Sequence, residues 1–281
     1  MSGFLDEMAA SSALRVADAL KTESIAALER RAAAIMPSPR LRLSAAGFDV
    51  IAEMKLRSPA SGVLGDSQED WLGRIVAYAR GGAAAVSVLT EPSRFDGSLE
   101  HLRQAAQILA PLRVPAMRKD FIVDPYQILE ARAAGAGGVL LILRMLSRAS
   151  LTELLEVAAA HGLFVLLEAF DAPDLQLAGD ILAARQASQV GREGEASVLV
   201  GINCRDLQTL RVAPQRFAEL AKFLPDSLPA VAESGVATPA EALAMRRLGF
   251  RLGLIGTALM ASGDPAQLVT EILRSARTVE S

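Results

Sequence analysis

The chain has 281 residues, of which 51% are hydrophobic and 22% charged, so a full core is available and wholesale disorder is excluded. Lysine and arginine number 29 against 32 acidic residues, and this net charge of −3 offers no basic excess to nucleic acid or to an anionic membrane. Residues 1–47 come first in the chain. Within them Leu14 to Ala34 reads as helix, with alternating apolar and charged faces, and ends near Met36-Pro37-Ser38-Pro39. It is expected to be an N-terminal helical extension packed on the rest of the chain, the alternative being a frayed leader.

From Phe48 onward a repeat sets in. Eight short apolar runs follow one another: Phe48–Lys55, Ala84–Thr90, Pro115–Lys119, Gly138–Leu143, Leu163–Glu168, Val198–Asn203, Pro229–Glu233 and Arg251–Gly256. Continuous apolar runs of this length suit strands buried on both faces of a parallel sheet. Helix start signals lie between them. Asp66 opens a segment that closes at Gly81-Gly82, and Ser98 precedes another. Asp124-Pro125 and Asp264-Pro265 set an acidic cap before proline, and Thr238-Pro239-Ala240-Glu241 is a capping box. Asp171–Ala196 is long for one helix and its loop. Its polar part, Gln186–Glu195, is expected to form an exposed insertion.

Strand and helix in alternation give right-handed units, and eight of them close into a barrel better than they form an open sheet. An open doubly wound sheet is the alternative, although no Gly-x-Gly-x-x-Gly follows the first run. No linker divides the chain. Residues 1–281 therefore read as one domain: a helical extension over 1–47 and a (β/α)8 TIM barrel over 48–281. A single cysteine, Cys204, excludes a disulfide scaffold and favours a reducing compartment. No apolar run reaches the ~18 residues of a membrane span, and residues 1–20 lack signal-peptide order. A cytoplasmic protein with no membrane partner is expected.

In a barrel, chemistry gathers at the C-terminal ends of the strands. Here those ends are charged. Glu53 and Lys55 share one strand face, as do Asn203 and Arg205, and other ends carry Lys119, Glu168 and Glu233. Buried charges cost several kcal/mol unless paired, so their convergence reads as a site rather than as a structural ion network. Ser234-Gly235 and Gly256-Thr257 follow the last two strands, where barrels often hold phosphate on backbone N–H groups. Cys204 lies between two inward positions and should face the helices. His161 reads as a helix C-terminus, His101 as solvated, and Trp71 as core.

These residues also carry a resemblance. Ile51-Ala52-Glu53-Met54-Lys55-Leu56-Arg57-Ser58-Pro59 resembles the opening motif of the indole-3-glycerol phosphate synthase family. Ser87-Val88-Leu89-Thr90-Glu91, Arg118-Lys119-Asp120-Phe121, Gly201-Ile202-Asn203 with Arg205-Asp206-Leu207, Ala232-Glu233-Ser234-Gly235 and Leu254-Ile255-Gly256-Thr257 follow in the family's order. The resemblance implies closure of the indole ring from 1-(2-carboxyphenylamino)-1-deoxyribulose 5-phosphate in tryptophan biosynthesis, with loss of carbon dioxide and water. It implies no cofactor and no metal, a small phosphorylated substrate and no fused second enzyme. By the same likeness Lys119 is the general acid and Glu168 its partner in proton transfer. Glu53 and Lys55 form a catalytic pair, and Asn203 and Glu233 orient groups at the ring-closing centre. Arg205 binds substrate, Ser58, Ser234, Gly235, Gly256 and Thr257 lie on the phosphate side, and Phe121 is an apolar wall. Three features depart from the family's usual pattern: Cys204 where Asn is common, Ala169-Phe170-Asp171 where Val-His-Asp is common, and a longer segment after Asp171.

Overall fold

A computed structural model describes residues 3–58, 62–63, 70–185, 197–206, 209 and 211–278, with only the backbone at Ser58, Val63 and Arg185. All eight apolar runs are strands: β1 (Asp49–Met54), β2 (Ala85–Leu89), β3 (Ala116–Lys119), β4 (Gly138–Ile142), β5 (Phe164–Ala169), β6 (Val198–Asn203), β7 (Ala230–Glu233) and β8 (Leu252–Ile255). Each pairs in parallel with its neighbours, and β1 pairs with β8 from Asp49↔Leu252 to Ala52↔Ile255, which closes the barrel.

Alternation along the strands sorts the side chains. Val50, Ala52, Val86, Val88, Leu141 and Leu167 face the surrounding helices. Ile51, Ala85, Met117, Leu140, Leu166 and Leu199 fill the interior. Burying each such side chain is worth ~1.5–3 kcal/mol. Cys204 belongs to the outer layer, where burial pushes its thiol up to about 12, as expected of an inert position.

The N-terminal segment is two helices, α1 (Phe4–Thr22) and α2 (Ile25–Ala34), not one run from Leu14 to Ala34. The chain is extended at Glu23, and the Ser24 side chain caps α2 by accepting from the Ala27 N–H. Next come α3 (Trp71–Arg80), α4 (Leu99–Leu109), α5 (Pro125–Ala133), α6 (Arg148–Ala160), α7 (Ala172–Arg185), α8 (Gln215–Ala221), α9 (Pro239–Arg247) and α10 (Pro265–Arg277). Ser98, Asp124, Thr238 and Asp264 cap their helices as expected. For α3 the cap is Asp70, which accepts from the Gly73 N–H at 2.8 Å; Asp66 and Gln186–Glu195 lie outside the described residues. His161 ends α6. His101 is half-buried rather than solvated, edge-on to Trp71 with ring centroids 5.3 Å apart. Trp71 is itself partly buried against the core. No helix among the described residues is long and apolar enough to cross a membrane.

The extension is fastened to one side of the barrel. Val16, Leu28 and Ala32 pack on Tyr126, Leu129 and Ala133 of α5. Further along α1, Phe4, Leu5 and Met8 join the interior apolar cluster. Between these contacts Arg15 makes two hydrogen bonds to Asp120, at 2.7 and 3.0 Å, and the Ser12 hydroxyl donates to the Phe121 carbonyl.

Candidate active site

Period-two alternation makes Glu53, Lys119, Glu168, Gly201, Asn203 and Glu233 inward positions at the top of their strands. Their side chains meet. Lys55 Nζ donates to Glu53 Oε1 at 2.8 Å. Lys119 Nζ lies 3.2 Å from Glu168 Oε2, 3.4 Å from Glu233 Oε2 and 4.0 Å from Glu53 Oε2. Asn203 Nδ2 donates to Glu168 Oε1 at 2.9 Å, while its own oxygen accepts the Arg205 backbone N–H at 2.9 Å.

Burial shapes the charge states. It works against the Lys119 ammonium, but Glu168, Glu233 and Glu53 outweigh it and raise the pKa above that of an ordinary lysine. Glu53 is the converse case: burial pushes its carboxyl up, yet Lys55 and Lys119 hold it below the usual range. Glu233 goes the other way. Burial and the neighbouring Glu168 charge lift it well above an ordinary carboxyl, and Lys119 only partly offsets them.

These groups line one cavity of about 450 Å³. Phe121, Arg205, Ser234, Gly235, Gly256 and Thr257 line it too, so twelve of the thirteen residues expected at the site come together. The remaining one, Ser58, pairs with Gly62 through its backbone, and its side chain lies outside the described residues. After β7, Ser234 and Gly235 have φ of 61° and 99°. The left-handed backbone at Ser234 costs ~1–3 kcal/mol, a strain found mostly at functional sites. Gly256 has a second reason to be glycine. A Cβ there would stand 2.5 Å from Glu53 Oε1 and 3.0 Å from Lys55 Nζ.

Several lining residues are not apparent from the strand-end pattern. Phe4 and Leu5 of α1 reach the mouth, and Phe4, Phe95 and Phe121 form an aromatic group with centroids 5.8 and 6.2 Å apart. Phe170 lines the cavity two residues after Glu168. Its ring lies under the Arg144 guanidinium at 4.5 Å, its N–H donates to Asp174 and its carbonyl accepts from Arg216. Behind Lys119 the fully buried Arg118 faces the helices and joins Asp120, Thr90 and Glu130.

Lysines set among carboxyl groups at the C-terminal mouth, next to two glycine turns, mark the class as a β/α barrel with the groups for acid–base chemistry at its mouth. Comparison with known proteins narrows the class. The family profile for indole-3-glycerol phosphate synthase matches residues 5–272. An indole-3-glycerol phosphate synthase of a Nocardioides species is 41% identical over 266 residues, covering 93% of this chain and 94% of that protein. One from a Parafrankia species is 40% identical over 253 residues, covering 89% and 87%. The chain belongs to the indole-3-glycerol phosphate synthase family, the carboxy-lyases of tryptophan biosynthesis. Among solved structures, 3-hexulose-6-phosphate synthase from Salmonella typhimurium shares the fold at 14% identity, with a TM-score of 0.59 over 82% of this chain and 98% of that one.

Proposed function

We propose that this chain closes the indole ring of 1-(2-carboxyphenylamino)-1-deoxyribulose 5-phosphate with Lys119 as the general acid. The observation that carries the reading is the ring of three carboxyl groups around Lys119, at 3.2, 3.4 and 4.0 Å. Charge on Glu168 and Glu53 favours the ammonium form, and an ammonium beside the substrate ketone makes its carbon electrophilic toward the aromatic ring. Glu168, steadied by Asn203, takes the ring proton during dehydration. The Glu53–Lys55 pair orients the new hydroxyl, which leaves with a proton from Lys119. Arg205 receives the substrate carboxylate as two parallel hydrogen bonds. Backbone N–H groups at Ser234-Gly235 and Gly256-Thr257 hold the phosphate, and the Phe4, Phe95 and Phe121 rings wall in the aryl group. The single buried cysteine and the small phosphorylated substrate fit a cytoplasmic enzyme without nucleic-acid partners.

The test follows indole fluorescence after purified protein is mixed with this substrate. Appearance of indole-3-glycerol phosphate with one equivalent of carbon dioxide is expected. An active relative assayed alongside and a silent preparation here would end the reading.

A further inference from the structure

The strand-end carboxyls Glu53, Glu168 and Glu233 meet two lysines in this cavity, and the three are not equally served. Glu168 receives both Lys119 and Asn203, and Glu53 receives Lys55 at 2.8 Å. Among the described residues Glu233 has only the longer, shared contact with Lys119 at 3.4 Å, and its buried Oε1 has no hydrogen-bond partner there. That oxygen lies against Gly201 on the neighbouring strand, where a Cβ would overlap it. A carboxylate oxygen with no donor, against bare backbone and beside a second carboxylate, is the costliest place in the cluster for negative charge.

We propose that Glu233 is held as a neutral carboxylic acid in the substrate-free enzyme, in a slot that Gly201 leaves open, and that it returns a proton to Lys119 between the two acid steps of the reaction. This rests on the reading of Lys119 as the acid. The proton count shows where such a donor acts. In ring closure a carbon–carbon bond forms, the ketone π pair moves to oxygen, and that oxygen takes the Lys119 proton. Carbon dioxide then leaves, and its bonding pair restores the aromatic ring. The new hydroxyl leaves as water with a second proton, while the adjacent ring carbon gives one to the base. Two protons enter and one leaves, a net uptake of one, which balances the loss of a carboxylate charge as neutral carbon dioxide. After the first step Lys119 is an amine. A half-turn of the Glu233 carboxyl presents its proton to that amine, and the ammonium is restored without waiting for solvent.

The groups facing Glu233 argue the same way. Glu168 and Glu53 repel a charge on it, and Lys119 is already shared among three acids. Lys55 is engaged by Glu53. Arg205 acts on Glu53 at the same mouth. The raised Glu233 pKa agrees with this arrangement.

Difference infrared spectroscopy at neutral pH should reveal a protonated carboxyl C=O band that disappears in Glu233→Gln. Its absence from the wild type overturns the proposal. Glu233→Gln should lower kcat by ~10²-fold, the low end for loss of a proton donor, with product affinity nearly unchanged. It should also remove the alkaline limb of the kcat profile, and a limb that persists contradicts the assignment. Gly201→Ala should reduce kcat by displacing Glu233, so the double variant should be no slower than Glu233→Gln alone, whereas additive losses refute the role of Gly201. Should Gly201→Ala not fold, the infrared band still decides the protonation state. Lys119→Met measured in parallel separates the two readings, because full activity in that variant removes the acid assignment whatever Glu233 does.

Discussion

Lys119 could in principle act as a nucleophile or as an acid, and its surroundings choose between them. A Schiff-base lysine needs a lowered pKa from desolvation or a nearby cation. Here the surrounding carboxyl groups, Glu168 foremost, outweigh burial. Lys119→Met should therefore cost ~10²–10⁴-fold in kcat with a smaller change in KM, and borohydride added during turnover should trap no adduct. A substrate-sized mass gain at Lys119 would contradict this. Gly256→Ala is a sharper probe than a bulky replacement. Its methyl would meet Glu53 Oε1 at 2.5 Å as well as crowd the phosphate loop, so kcat should fall together with a rise in KM. A change confined to KM would detach Gly256 from the Glu53–Lys55 pair. Arg205→Lys removes the paired geometry that suits a carboxylate and should raise KM clearly; silent kinetics would take Arg205 out of the site.

At the level of elements, α1 is tied to the end of β3 beside the acid it helps to enclose. Asp120 receives Arg15, Arg118 and Thr90 and is held well below the ordinary carboxyl range, because these partners outweigh its burial. A depressed native pKa contributes stability above the unfolded value of ~4 and loses it as pH falls through the native value. Asp120→Asn should thus destabilise the protein by ~3 kcal/mol at neutral pH, the low end for breaking a buried pair, since Arg118 keeps Glu130. The gap to wild type should narrow below about pH 4; a pH-independent gap would contradict the ion-pair origin. Much of this architecture is legible in the sequence, because strand burial and capping are local. Runs buried on both faces mark all eight strands, and Ser98, Asp124, Thr238 and Asp264 announce their helices. The charged strand ends are legible for the same reason: period two puts Glu53 with Lys55 and Asn203 with Arg205. Contacts between distant segments leave no local mark. Neither Phe4 and Leu5 at the mouth nor the fit of Glu233 against Gly201 follows from spacing, and the Ser24 break is hidden within a stretch of good helix formers.

For the molecule as a whole, the two ends of the barrel divide the work. At the end opposite the cavity, Asp49 accepts from the Arg277 guanidinium and the Ser44 N–H at 2.8 and 2.9 Å, which ties the start of β1 to α10. Asp49→Ala should lower Tm by several degrees, as a loss of ~1–3 kcal/mol in a chain of this size implies, while kcat and KM stay within about twofold. A large loss of activity at unchanged Tm would reverse that division. Closure through β1 and β8 also has a consequence in time. Asp49–Met54 is made well before Leu252–Ile255. At ~5–20 residues per second, the ~200 residues between them occupy a ribosome for ~10–40 s. Through that interval β1 has an edge with no neighbour, open to strands of other nascent chains. The barrel is completed only once Leu252–Ile255 has been made, so its yield in a cell depends on how well that waiting edge is sheltered.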